Sequence, residues 1–349
     1  MALFYLLLSL LVVSRLRVQS QGFYTDYLSV ETTNAVKGVF IALVFIKHAT
    51  PYICNSNYVF DDSFWSRLFL FVDMEVGQWI VAMFLFYSGY GVMTSIQNKG
   101  DRYVSSIPSK RILSTLINFD IAVALFVIVS LLFHHTYSLK DYLLSFIGWE
   151  SVGNSNWYIF VIMLCYLITY ICLKVDVSTE NQYSYSRRIV ISFSLLTVSV
   201  LVLSYLKPSW WYDTMLCFGM GMFYSVWRER IEVILKRYYW PILSALFLLL
   251  ICIGNIPYSV KGFVYNVYCI VFCLLVLMLT MKFKINNSSL IWAGKNLFPL
   301  YIYQRVPMII LSSICGGTIV SSYPVIYTFA CLLITLLFAY FYRYWAIKL

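Results

Sequence analysis

The sequence predicts an all-α fold, a polytopic membrane bundle of about ten transmembrane helices with both termini in the cytoplasm. Three observations carry that expectation. Hydrophobic residues make up 61% of the chain and charged residues only 11%, with a mean hydropathy of +0.79. A soluble domain carries roughly a quarter charged residues, so a 349-residue chain this poor in charge needs lipid as part of its solvent. The apolar residues are gathered into runs of spanning length. Lys and Arg fall in the short gaps between those runs, mostly in alternate gaps.

The runs lie near residues 35–54, 76–96, 112–133, 156–175, 189–206, 210–227, 239–256, 263–281, 290–312 and 323–342, each close to the length of about 17–25 residues that crosses a bilayer. The run at 210–227 is the narrowest case, because its predecessor ends only at Leu206. The longest polar gaps, at 55–75 and 134–155, both fall on the outer side. No internal repeat, low-complexity tract or soluble domain is visible.

With the N-terminus inside, eighteen of the 25 Lys and Arg lie in cytoplasmic segments, among them Lys99, Arg102, Arg228, Arg230, Lys282, Arg343 and Lys348. The outer segments hold six, namely Lys47, Arg67, Lys140, Lys207, Lys261 and Arg305, while Lys295 lies within a span. That imbalance sets the orientation and predicts a multi-pass protein of the cytoplasmic (inner) membrane. The net charge of +10 is therefore that of an oriented membrane protein. A nucleic-acid binder would gather its cations into one stripe or tail.

The stretch 2–13 is apolar but short for a crossing, and Arg15 and Arg17 follow it. A signal peptide has its basic residues before the apolar core. Residues 1–23 are read as an N-terminal extension against the inner leaflet, and 24–349 as one membrane domain. An eleventh span, which would put the N-terminus outside, is the competing reading. The nine Cys stand singly, with no C-x-x-C pair, so neither a zinc site nor a disulfide framework is indicated.

Ionisable groups inside a span are costly and mark functional positions. In the first span Lys37 and His48 are eleven residues apart, three helical turns plus roughly 20°. They share a helix face and are separated by about 16 Å of rise. Lys37 falls near the cytoplasmic mouth and His48 in the outer half. An anion anchor and a general base would use that arrangement, as would a snorkelling topology signal and an interfacial hydrogen bonder. The second span closes on residues 84–91, where Ser88 and Tyr90 supply hydroxyls among small residues that favour helix packing. Lys110 and Arg111 open the third span as a paired cation able to hold phosphate. Asp120, deeper in that span, calls for a Lys or His partner from a neighbouring helix. Trp157 and Trp211 open later spans from outside, as interface belts or as faces for a sugar ring. Gln304 and Arg305 interrupt the ninth span, and His134 and His135 sit in an outer loop as solvated residues.

These segments together resemble the membrane acyltransferase family 3, the ten-span O-acyltransferases that modify bacterial cell-surface glycans. The resemblance is carried by Lys37-x10-His48, by residues 84–91, by the Lys110-Arg111 pair, and by segments at 154–159, 210–230 and 292–308. It runs from about Tyr24 to the C-terminus. It implies that Lys37 and His48 are essential and that Arg111, with Lys110, matters too. The family often has Arg-x-x-Arg at the start of the third span, where position 114 here is Ser. Many members carry a His in the ninth span, where this chain has Gln304-Arg305.

The expected activity is transfer of an acetyl group from cytoplasmic acetyl-CoA, a substrate and not a resident cofactor, to a hydroxyl of a surface polysaccharide or its lipid-linked precursor. Lys37, Lys110 and Arg111 would hold the donor phosphates and His48 would be the base. Ser88, Tyr90 and Arg305 are candidate oxyanion donors. Asp120, Gln304 and Arg305 are possible supports, with Trp157 and Trp211 toward the acceptor. No metal is called for. A glycan or lipid transporter without chemistry is the competing class, and acetyl-CoA dependence separates the two.

Overall fold

The computed structural model describes residues 1–174, 182–256 and 263–347. Lys261 and Lys348, counted above as outer and inner charges, lie outside the described residues. Helix α1 (Ala2–Val13) leads into a short strand β1 (Leu16–Val18). The helices that follow are α2 (Val30–Cys54), α3 (Phe64–Val76), α4 (Trp79–Lys99), α5 (Asp101–Ile107), α6 (Ser114–Leu132), α7 (Leu139–Ser145), α8 (Trp157–Leu173), α9 (Gln182–Leu206), α10 (Leu216–Arg237), α11 (Tyr239–Gly254) and α12 (Val264–Lys282). After strand β2 (Phe283–Ile285) come α13 (Ser288–Lys295), α14 (Leu297–Tyr303), α15 (Arg305–Ser322) and α16 (Pro324–Phe341). A π-helical turn over Pro108–Leu113 joins α5 to α6.

Each of the ten apolar runs falls in helix. Among the described residues, seven stretches are long and apolar enough to cross a membrane: Val30–Cys54, Trp79–Lys99, Asp101–Leu132, Ser186–Leu206, Val264–Lys282, Leu297–Ser322 and Pro324–Tyr344. Helices α10 and α11 add an eighth only when taken together, and they meet at 96°. Helix α8, at 17 residues, is short by the same measure. The chain is thus a multi-pass, all-α membrane protein. Of the expected ten spans, seven or eight meet this measure among the described residues, because α8 is short and the α10–α11 pair is bent; the ninth run keeps a full-length stretch, Leu297–Ser322, despite its breaks at Asn296 and Gln304.

The polar gaps hold helices that composition hides. Helix α3 lies in the 55–75 gap, with Trp65, Leu68, Phe69, Val72 and Val76 recurring at helical spacing. Helix α7 lies in the second gap and starts on a capping box between Ser138 and Asp141.

The N-terminal extension does not lie across the inner ends of the bundle. Met1 packs against two buried clusters, one of Phe45, Ala49, Met308 and Tyr327 and one of Phe4, Ile46 and Phe69, and the Thr328 hydroxyl reaches its sulfur at 3.7 Å. At the other end of α1 the Leu11 carbonyl accepts from Asn287 Nδ2 at 2.9 Å, and β1 pairs antiparallel with β2, Leu16 opposite Ile285. Helix α1 therefore runs antiparallel to α2, with its first residues beside the C-terminal half of α2. The far terminus packs elsewhere: the Ile347 N–H donates to Asn118 Oδ1 at 3.0 Å, and its carbonyl accepts from Asn118 Nδ2 at 2.8 Å, at the start of α6. Met1 sits beside the first turns of α16 and Ile347 just past its last, so the two described ends lie at opposite ends of the bundle. The expectation of two cytoplasmic termini is not confirmed by this arrangement, in which apolar contacts with α2 and α3 bury Phe4 and Leu8 and draw α1 along the bundle.

Candidate active site

Two backbone-to-backbone helix crossings set the frame of the site. A Cβ on Gly38 would stand 1.9 Å from the Leu290 carbonyl oxygen, and one on Gly294 would stand 1.9 Å from that of Asn34. Helices α2 and α13 therefore touch along their main chains, which only small residues permit. Helices α4 and α10 cross in the same manner, with Gly89 against Phe218 and Gly221 against Phe86. These crossings fix Lys37 beside the first contact and Ser88 beside the second. Helix α2 itself begins at Ser29, whose hydroxyl caps the Thr32 N–H at 3.2 Å, and runs unbroken through Lys37 and His48. Their separation along the axis is thus about 16 Å.

Lys37, Ser88, Tyr90 and Arg111 line one cavity of about 470 Å³, together with Phe84 and Tyr166. Arg111 is steered there by Tyr103, whose hydroxyl accepts from its Nε at 3.1 Å. Lys110 is exposed and is not part of this lining. Ion pairs among the described residues join Lys47 to Asp73, Arg67 to Asp62, Lys207 to Glu150, Arg228 and Lys236 to Glu232, and Lys284 to Asp26. Lys37, Arg111 and Arg305 thus have no carboxylate partner among the described residues. Arg111 is exposed at the cavity, whereas Lys37 and Arg305 are partly buried; a cation at membrane depth without a carboxylate is costly, and an anionic ligand would relieve the cost.

An aromatic wall separates this cavity from His48. The Ser88 hydroxyl interacts with both Tyr158 and Tyr166. Tyr158 packs edge-on against Phe84 at 6.2 Å and against Tyr301 at 5.3 Å, and Tyr301 lies 6.2 Å from the His48 ring. The buried Tyr301 hydroxyl interacts with Ser155, while the His48 Nδ1 is buried and has no hydrogen-bond partner among the described residues. Such groups are uncommon and call for an explanation. Arg305 lies close enough to His48 to act on it electrostatically. Its Nε donates to Tyr52 at 3.3 Å. Beyond Arg305 a second cavity, of about 230 Å³, opens among Tyr52, Ser130, His135, Tyr137 and Ser312. His135, read above as merely solvated, lines it.

The remaining candidates lie elsewhere. Asp120 has no Lys or His partner, and its Oδ1 is buried without a hydrogen bond among the described residues. Gln304 is fully buried, with Nε2 donating to the Tyr301 carbonyl at 2.9 Å, so it supports the Tyr301 turn. Trp157 is partly buried against Tyr158. Trp211 is only 5% exposed and stacks with Trp149 and Phe160 around the Lys207 ammonium, 4.7 Å away. It offers no free face to a sugar.

Sequence reasoning passed over Lys47 and Asp73. Lys47 Nζ donates to Asp73 Oδ2 at 2.7 Å and to the Asp73 carbonyl at 2.6 Å, and Thr50 adds a bond to the same carboxylate. The pair clamps α3 to α2 one residue from His48. A carboxylate at the end of an apolar run opposite Lys47 was the available signal.

The fold and site define a multi-pass membrane protein with two polar cavities on either side of a buried imidazole. The family model Acyl_transf_3, described as an acyltransferase domain, matches residues 32–343, nearly the whole chain. The chain belongs to acyltransferase family 3 and is an acyltransferase. Neither the curated proteins nor the solved structures gave a match.

Proposed function

We propose that the protein is an O-acetyltransferase of the cytoplasmic membrane that moves an acetyl group from cytoplasmic acetyl-CoA to a hydroxyl of a surface polysaccharide or its lipid-linked precursor. The observation that carries this reading is the pairing of a cavity holding two unpaired cations, Lys37 and Arg111, with a buried imidazole on the same helix. Acyl donors such as CoA bear phosphates, which Lys and Arg bind as charge-assisted hydrogen bonds. A pantetheine arm matches the rise of about 16 Å between Lys37 and His48.

In this reading the donor enters the inner cavity, and Lys37 and Arg111 hold its phosphates. Lys110, one position away and exposed, adds only to the general positive field. The thioester meets the acceptor where the Tyr158–Tyr301 contact gives way. His48 takes the proton from the acceptor hydroxyl, whose oxygen attacks the thioester carbonyl. Arg305 stabilises the oxyanion that develops. The C–S bond then breaks, and the leaving thiolate recovers the proton from the imidazolium. The acceptor approaches through the outer cavity of Tyr52, His135 and Tyr137.

The test is separate replacement of His48 and Lys37 by Ala, with membrane insertion confirmed and glycan O-acetylation measured. His48→Ala is expected to lower turnover by at least about 10²-fold, the contribution of a general base. Lys37→Ala is expected to act mainly through weaker donor binding. Full activity of His48→Ala would end the mechanism.

A further inference from the structure

A third polar cavity adjoins the inner one. It measures about 730 Å³ and lies between the last turns of α4 and the middle of α10. Tyr90 and Thr94 line both cavities, so the two are contiguous. Gln97, Asn98, Ser225, Arg228, Glu229 and Arg230 supply the rest of its polar lining, with Trp227 beside them; of its charged groups two are cations and one, Glu229, is a carboxylate.

Its walls are built. Arg228 Nη1 donates to the Tyr90 hydroxyl at 3.1 Å and its Nε to Glu232 at 2.6 Å. Glu232 is fixed in turn by Lys236 at 2.6 Å and by the buried Tyr27 hydroxyl at 2.8 Å. One carboxylate thus serves two cations, and Arg230 has no carboxylate partner among the described residues. Trp227 departs from helical geometry (φ −104°, ψ 17°), which bends α10 at this point. Phe223 covers one side of its indole at 4.2 Å, while Trp227 itself stays partly exposed at the cavity. Guanidinium forks suit phosphate, an exposed indole suits a base, and the volume is that of a small-molecule site.

We propose that this cavity is the subsite for the phosphorylated nucleotide end of the acyl donor, with Arg228 and Arg230 on its phosphate and Trp227 against its base. The arm then passes Tyr90 and Thr94 into the Lys37–Arg111 cavity. This rests on the donor reading above and extends it to residues of α10, more than a hundred positions away from Arg111. An anionic lipid headgroup would present the same phosphate chemistry but no base and no arm.

The full-length protein is purified into nanodiscs of neutral lipid and titrated calorimetrically with CoA, 3′-dephospho-CoA and pantetheine. Wild type should bind CoA at least about tenfold more tightly than pantetheine, the worth of one charge-assisted contact. Arg230→Gln should lose about tenfold in CoA affinity while its pantetheine affinity holds. Arg230 is exposed and outside the packed core, so the variant is expected to fold. An unchanged CoA-to-pantetheine ratio in Arg230→Gln would overturn the subsite and leave the donor reading intact. Wild type binding none of the three ligands would overturn both. Displacement of CoA by phosphatidylglycerol added to the nanodiscs, with pantetheine binding unaltered, would assign the cavity to lipid and overturn the proposal.

Discussion

The Tyr301 hydroxyl is buried between Tyr158 and His48, with Ser155 as a polar neighbour. One net hydrogen bond is worth about 1 kcal/mol, so removing the hydroxyl tests the chemistry more than the folding. Tyr301→Phe should leave the thermal midpoint in detergent nearly unchanged, while acyl transfer falls; a variant with lower stability and full activity would show that the hydroxyl is structural. The Lys47–Asp73 pair makes the opposite case. Asp73→Asn strands a cation beside His48 and should cost about 3 kcal/mol, read as earlier unfolding. Some of these roles were legible in the sequence and some were not. The helical period alone puts Lys37 and His48 on one face. Lys110 and Arg111 read as a pair, yet successive residues on the π-helical turn that carries them face different ways, and only Arg111 lines the cavity. Trp211 reads as an interface aromatic whether its face is open or, as here, filled by Lys207, because composition carries no information about a partner four residues upstream that folds back.

At the scale of elements, the crossings of α2 with α13 and of α4 with α10 hold the site together. Gly38→Ala forces a methyl group onto the Leu290 carbonyl and should destabilise by roughly 1–3 kcal/mol, with loss of activity following from the shift of Lys37. Gly91→Ala is the matched control: its Cβ would meet nothing within 4 Å, and thermal stability should be retained. Melting curves of the two variants in the same detergent check both statements. The small residues of 84–91 were visible in the sequence as packing residues, whereas Gly38 and Gly294 were not, and which helices they join depends on contacts between segments roughly 130 to 260 residues apart. The bend between α10 and α11 was likewise hidden, since an apolar run reads the same in a straight span and in a broken one.

At the scale of the whole molecule, the apolar runs and the charge imbalance made the membrane class and the helical architecture legible. Lipid and protein interior are alike in polarity, so the same signal does not separate a spanning helix from one packed against its neighbours. Helix α1 is the clearest instance. Its antiparallel course along α2 places Met1 and Ile347 at opposite ends of the bundle. Topology reporters fused before Met1 and after the last residue should therefore report opposite sides of the membrane; reporters reading the same side would restore the cytoplasmic placement of both termini.

The strand pair that secures α1 has a consequence in time. β1 leaves the ribosome roughly 270 residues ahead of its partner β2, on the order of tens of seconds at ordinary rates of synthesis. For that interval the end of α1 nearest β1 is unpaired. The N-terminal segment therefore completes its docking late in assembly, when α12 and α13 and then α16, which carries Thr328, arrive. It acts as a latch over the loop that carries α13 against Lys37, and shortening it should slow or impair maturation more than it alters the finished site.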